Sequence, residues 1–100
     1  MAEIVMKVHS SGGKTVVALC DKSLLGKKIE EGSRQLDMSS SFYKGAVKSE
    51  KEILDRLSQE CHVNATGKDA VEFCRKNKIV DKSSIIVIGG VPHTEAALVG

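Results

Sequence analysis

The chain has 100 residues, a formal net charge of +2 from 15 basic and 13 acidic side chains, and only three aromatic rings of the Phe, Tyr and Trp type: Phe42, Tyr43 and Phe73. That length leaves room for one core, residues 1–100 as a single domain, able to bury about two thirds of the unfolded surface. The nearly balanced charge excludes a domain that grips a polyanion by net charge alone, and the scarcity of rings limits base stacking to one platform, Phe42 with Tyr43.

In chain order, Ile4, Met6 and Val8 alternate with Val5, Lys7 and His9, the period of a strand with one buried face. Ser10–Gly13 offers turn residues that tolerate positive φ. Thr15–Cys20 is β-branched and apolar and reads as a central strand, so the first twenty residues predict a hairpin. Asp21 or Ser23 fits the start of a helical turn that Gly26 ends, although Asp21–Gly32 is too short and mixed for a full helix. Ser33–Ser39 reads as a short strand with Leu36 and Met38 inward, and Ser39–Val47 as a loop closing near Gly45.

Ser49–Glu60 is the clearest helix. Ser49 and Glu52 have the spacing of a capping box. Ile53, Leu54 and Leu57 form its apolar stripe, and Lys51 with Asp55 and Glu52 with Arg56 are oppositely charged neighbours four apart. His62–Gly67 reads as a short strand or loop, with Thr66 as cap of a second helix over Gly67–Lys78. Ala70, Val71, Phe73 and Cys74 face the core, and Arg75, Lys76 and Lys78 lie where cations suit the final carbonyls. Ile85–Ile88 reads as a buried strand and His93–Val99, after Pro92, as an edge strand. Two helices on one face of a mixed sheet bury all these stripes, which predicts a two-layer α+β sandwich.

Three cysteines, Cys20, Cys61 and Cys74, are odd in number and irregular in spacing. They read as free thiols of a reducing, cytoplasmic compartment. The N-terminal residues lack a secretory pattern and the apolar runs are too short to cross a bilayer, so no membrane partner is expected.

Around Gly67 and Lys68 a phosphate loop fails, because His62 and Asp69 stand where it needs glycine and a hydroxyl residue. Cys20, Cys61, Cys74, His62 and His93 lack metal-ligand spacing, so neither a metal nor a cofactor is expected. Cys20 with His93 fits a thiolate nucleophile only if the fold joins them. Arg75, Lys76, Lys78 and Lys82 form a basic cluster, which Lys27 and Lys28 would extend if the fold brought them near. In Gly89–His93, two glycines permit positive φ, Pro92 fixes its own φ and extends Val91, and His93 can act near neutral pH. Exposed amides beside two glycines can cradle a ligand, but turn chemistry explains the stretch better.

Four stretches, Cys20–Gly32, Ser39–Gly45, Asn64–Phe73 and Ile88–His93, resemble in order and spacing the archaeal "domain of unknown function 424" family. The resemblance covers nearly the whole chain. The residues Cys61–Asn64 depart from the small-residue run usual there, and the chain stops soon after His93. The resemblance implies an archaeal, cytosolic protein with a compact two-layer α+β fold, and brings no established reaction, cofactor or catalytic residue. Its motif positions here are Cys20, Asp21, Gly26, Phe42, Tyr43, Gly45, Asn64, Gly67, Gly90, Pro92 and His93, several of them in loops that carry function on a rigid scaffold.

Three readings follow. In the first, the protein is a non-catalytic accessory module touching RNA or a translation-related protein, with the cations near the second helix on phosphates and Phe42 and Tyr43 stacking a base. In the second, a small enzyme or ligand-binding domain uses a cleft of Cys20, Asn64 and His93, with Gly89 and Gly90 as backbone donors. The third is a protein–protein adaptor. His93 is expected to lie near Asn64 and Tyr43 on one surface.

Overall fold

The computed structural model describes residues 3–99. Strands β1 (Ile4–Ser11) and β2 (Lys14–Asp21) pair in register from Ile4 opposite Asp21 to Ser11 opposite Lys14, around the Gly12–Gly13 turn. There follow β3 (Lys28–Glu31), β4 (Arg34–Asp37), a 3-10 turn at Ser41–Tyr43, β5 (Ala46–Lys48), α1 (Glu50–Leu57), β6 (Cys61–Thr66), α2 (Lys68–Lys76), β7 (Ile86–Ile88) and β8 (Val91–Leu98). Six strands form one mixed sheet in the order β5-β1-β2-β6-β8-β7, while β3 and β4 form a separate hairpin. The chain is a mixed α+β fold, and no described helix is long and apolar enough to cross a membrane.

Side-chain alternation divides the sheet between two cores. Val17 and Leu19 of β2 and Cys61, Val63 and Ala65 of β6 meet Ile53 and Leu57 of α1 and Ala70, Val71, Phe73 and Cys74 of α2. Both helices therefore lie on one face. The opposite side chains of β2, Ala18 and Cys20, pack with Leu36, Met38, Tyr43 and Ile88. The β3–β4 hairpin and the 3-10 turn thus cover one end of the second face and leave the other end open.

Several local expectations change. The stretch after Asp21 makes only a 3-10 turn at Lys22–Leu24, and Lys28–Glu31 becomes β3, paired with β4. Part of the expected loop closing at Gly45 pairs with β1 as β5. Leu54 faces solvent, leaving Ile53 and Leu57 as the buried positions of α1. Within α1 the capping box forms as expected, but Glu52 meets Lys48 at 3.9 Å, and Arg56 turns to Gln59.

The last two strands exchange roles. β7 is the edge and exposes Ile86 and Val87, because only β8 pairs with it. β8 lies inside the sheet: residues 91–93 pair with β7 and residues 93–98 with β6. Pro92 sits just past the end of the β6 ladder, so its missing N–H breaks no bond there. Its carbonyl accepts from the Gly67 N–H at 2.9 Å.

Candidate functional site

The side chains of β6 that point away from the helices are His62, Asn64 and Thr66. By register they stand beside Val16, Ala18 and Cys20 of β2 and beside Ala97, Glu95 and His93 of β8. Tyr43 reaches onto this row from the 3-10 turn. Its hydroxyl lies 2.5 Å from Asn64 Oδ1 and 2.9 Å from Thr66 Oγ1. Thr66 Oγ1 lies 2.9 Å from His93 Nδ1, and His93 Nε2 lies 3.1 Å from Glu95 Oε2. A continuous polar chain, Asn64–Tyr43–Thr66–His93–Glu95, therefore crosses two strands. It satisfies groups that would otherwise be buried at a cost. Burial is the main cause that pushes the Tyr43 phenol above its ordinary range, with Thr66 pulling it back, so the hydroxyl keeps its proton at neutral pH.

Asn64 also opens onto a groove of about 540 Å³, whose lining includes Val16, Phe42, His62, Glu95 and Ala97. This is the end of the sheet face that the hairpin leaves bare. His62, Glu95 and Ala97 are exposed, while Val16, Asn64 and Phe42 are half-buried. Phe42 stacks on His9, with ring centroids 4.7 Å apart and planes 5° from parallel. His9 Nε2 lies 2.8 Å from the Phe42 carbonyl oxygen, which holds the stack in place.

The other sequence-derived candidates fall elsewhere. Asp21 caps α2: Oδ2 accepts from the Asp69 N–H at 3.0 Å and Oδ1 from the Ala70 N–H at 2.7 Å. Gly67 is the N-cap of this helix, not Thr66, whose hydroxyl belongs to the polar chain. Gly67 adopts φ 112° and ψ 155°, a region open essentially to glycine, and a Cβ there would strike the Asp21 carboxylate. These two family-motif residues have a plain structural task.

Gly89 and Gly90 form the two-residue turn between β7 and β8, both with positive φ, 56° and 81°. The Gly89 N–H donates to Glu31 Oε1 at 2.9 Å and a Cβ there would strike Ile29. The turn is seated on the β3–β4 hairpin, and its Gly89 amide is taken by the protein itself. Pro92 is the second residue of β8, one residue before His93.

Cys20 shares the face of His93, but the Thr66 position separates them across the sheet. Its thiol is fully buried, donates to the Asp21 carbonyl at 3.3 Å, and is pushed up to about 12 by burial and then by the Asp21 charge. A thiolate is inaccessible there near neutral pH.

The basic cluster lies on the helical layer, with the sheet between it and the polar chain. Arg75 forms a two-bonded pair with Glu72, both contacts at 2.6 Å, and Lys76 meets Glu50 at 2.9 Å. With Lys78 and Lys82 they border an open hollow that also contains Asp81. Two of its four cations are therefore already paired. Among the described residues, no group of three His, Cys, Asp or Glu side chains is placed to hold a metal ion.

Thr66, Glu95, His62 and His9 escaped the sequence-derived site. The alternation His62, Asn64, Thr66 and the pair His93, Glu95 carry the signal, because each set shares one strand face.

The chain belongs to a family described as a protein of unknown function, DUF424, whose pattern matches residues 8–99. Comparison with curated proteins gives no match. It is similar to the crystal structure of an uncharacterized conserved protein from Methanopyrus kandleri, with 27% sequence identity and a TM-score of 0.83, over 98% of this chain and 93% of that one.

Proposed function

We propose that this protein is a non-catalytic binding module and that the open half of its second sheet face takes an unpaired base of single-stranded RNA. The observation that carries this reading is the groove beside Asn64, where a ring stack, Phe42 on His9, stands next to two hydrogen-bonding groups, the half-buried Asn64 amide and the exposed Glu95 carboxylate. A planar base would stack on the ring wall, over a floor that includes Val16 and Ala97. Its edge groups would meet Asn64 and Glu95. Lys7 shares this face with His9, by alternation along β1, and Lys14 borders the adjoining hollow with His62 and Ala97. In this reading they meet the flanking phosphates. The cluster at Arg75, Lys76, Lys78 and Lys82 supports RNA contact less well, because Glu72 and Glu50 engage half of it. A cysteine-based enzyme is disfavoured by the buried, protonated Cys20.

The test is titration of the full chain with short single-stranded RNA, followed by backbone and side-chain resonances. Shifts are expected at Phe42, His62, Asn64 and Ala97. Phe42→Ala is expected to weaken binding about 5- to 160-fold, the scale of one base-stacking contact. Two phosphate contacts give a slope of log K against log salt of about −1.4. Shifts confined to Arg75, Lys76, Lys78 and Lys82, with a slope near −2.8 for four contacts, would move the RNA surface to the helical layer. Absence of binding at low salt would end the reading.

A further inference from the structure

We infer that the Asn64 amide is a two-position recognition group whose orientation is set by the charge on His93: it turns its carbonyl to the groove when His93 is neutral and its NH₂ when His93 is protonated. The groove as a recognition surface rests on the binding reading above; the coupling itself rests on counting protons along the polar chain.

The Tyr43 and Thr66 hydroxyls each hold one proton and stand between two neighbours, so each donates one way and accepts the other. The chain therefore has a direction, and both hydroxyls must share it. At one end His93 Nε2 faces the Glu95 carboxylate at 3.1 Å. An ionised carboxylate only accepts, so Nε2 carries a hydrogen. In neutral imidazole Nδ1 is then bare and accepts from Thr66, Thr66 accepts from Tyr43, and Tyr43 accepts from the Asn64 NH₂. The Asn64 carbonyl is left for the groove, beside Glu95.

Protonation of His93 at Nδ1 reverses the three links from His93 to Asn64, while Nε2–H still donates to Glu95. One proton from solvent forms the Nδ1–H bond, and no other covalent bond is made or broken. Nδ1–H now donates to Thr66, Thr66 donates to Tyr43, and Tyr43 donates to Asn64 Oδ1. The hydroxyls rotate, the amide turns over, and its NH₂ faces the groove. In the structure Asn64 Oδ1 faces the Tyr43 hydroxyl, the amide orientation that this second arrangement requires.

Few other groups compete for control. Tyr43 comes from the 3-10 turn and Cys20 from β2, and burial keeps both protonated. Asp21, next to Cys20, is turned to α2. Across the ladder from His93, β7 presents Ile86. Glu95 is the charged group that meets His93, and its side chain is 69% exposed against 10% for His93. The groove thus favours bases that present N–H donors when His93 is neutral. It favours bases that present carbonyls when His93 is charged.

The experiment follows the His93 ring nitrogens and the Asn64 side-chain amide by NMR as the pH of the intact protein is lowered. The expected result is an Nε2–H tautomer at high pH and an Asn64 amide shift with the same midpoint as the His93 ring. In Thr66→Val, and in Tyr43→Phe should that variant not fold, His93 still titrates while the Asn64 amide stays still. An amide that ignores the His93 transition in the wild type, or a neutral Nδ1–H tautomer, overturns the inference. Oligomers of A or C are then compared with oligomers of U on either side of the midpoint, where the preference is expected to change at least threefold in the wild type and to stay constant in Tyr43→Phe. A constant wild-type preference overturns the recognition role. A tracking amide with no RNA bound at any pH overturns the functional reading and leaves the coupling standing.

Discussion

The face of the sheet beneath the helices holds Val17, Leu19, Val63 and Ala65, packed on Ile53, Val71 and Phe73. The face beneath the hairpin holds Ala18 and Cys20, then a row of Asn64, Thr66, His93 and Glu95 tied by Tyr43. One face is joined by area removed from water, which is insensitive to the direction of any bond. The other is joined by a directional chain, and half of it is left open to solvent. The first can tolerate a change of apolar shape at modest cost. The second cannot lose one hydroxyl without stranding its neighbours. Apolar packing is concentrated under the helices, and the directional polar chain with its open groove lies on the opposite face.

Substitutions on either face sharpen this contrast. Phe73→Ala, at the centre of the helical face and 1% exposed, is expected to cost about 3–5 kcal/mol in urea unfolding. A loss below about 1 kcal/mol would deny that this face dominates stability. Thr66→Val keeps the shape but removes the middle hydroxyl of the chain, leaving Tyr43 and His93 without that partner; about 1–3 kcal/mol is expected. A neutral result would show that water replaces the hydroxyl and that the chain is not closed.

Asp21 sits between the two faces, at the end of β2, and its sign of pH dependence is informative. Burial raises its carboxyl above the ordinary 3.8, although the Asp69 and Ala70 N–H groups pull it down. The folded state therefore binds this proton more readily than the unfolded chain. The Asp21 contribution is complete below about pH 3.8 and is lost as pH rises through the raised value. Comparing urea midpoints of wild type and Asp21→Asn at pH 4 and pH 7, the wild-type advantage is expected to be larger at pH 4. The reverse ordering would mean that the anionic cap outweighs burial. Smallest of all, Val87→Thr on the exposed edge strand is expected to change stability by less than about 0.5 kcal/mol.

The contrast between the faces also marks what could be read from the chain. The first hairpin, the Ser49–Glu52 cap and the apolar positions of α2 are local, and each sits where its neighbours in sequence predict. The β3–β4 hairpin was hidden because Lys28–Asp37 carries only Ile29 and Leu36 among charged and polar residues, and its buried side is seen only once Ile88 and Met38 are beside it. β7 looked buried because its apolar run has no polar alternation; the sheet order, set by the long connection through α2, puts it at the edge. At the candidate site, Tyr43, Asn64 and His93 stood out as polar motif residues. Thr66 did not, because a threonine before glycine and lysine is equally well explained as a helix cap. The fold assigns the capping contacts to Asp21, 48 positions before Asp69 and 49 before Ala70.

That distant cap bears on the order in which the chain assembles. The first turn of α2 has its amides satisfied by a carboxylate that arrives only when β2 lies beside β6 in parallel register. Pairing of β2 with β6 spans the whole hairpin, β5 and α1, a closure with an entropic cost that local helix formation does not share. The start of α2 is thus tied to a late, long-range event, while α1, with its own Ser49–Glu52 box, carries its starting signal with it. In native-state hydrogen exchange, the amides of Asp69 and Ala70 belong with the central strands rather than with a helix end that frays.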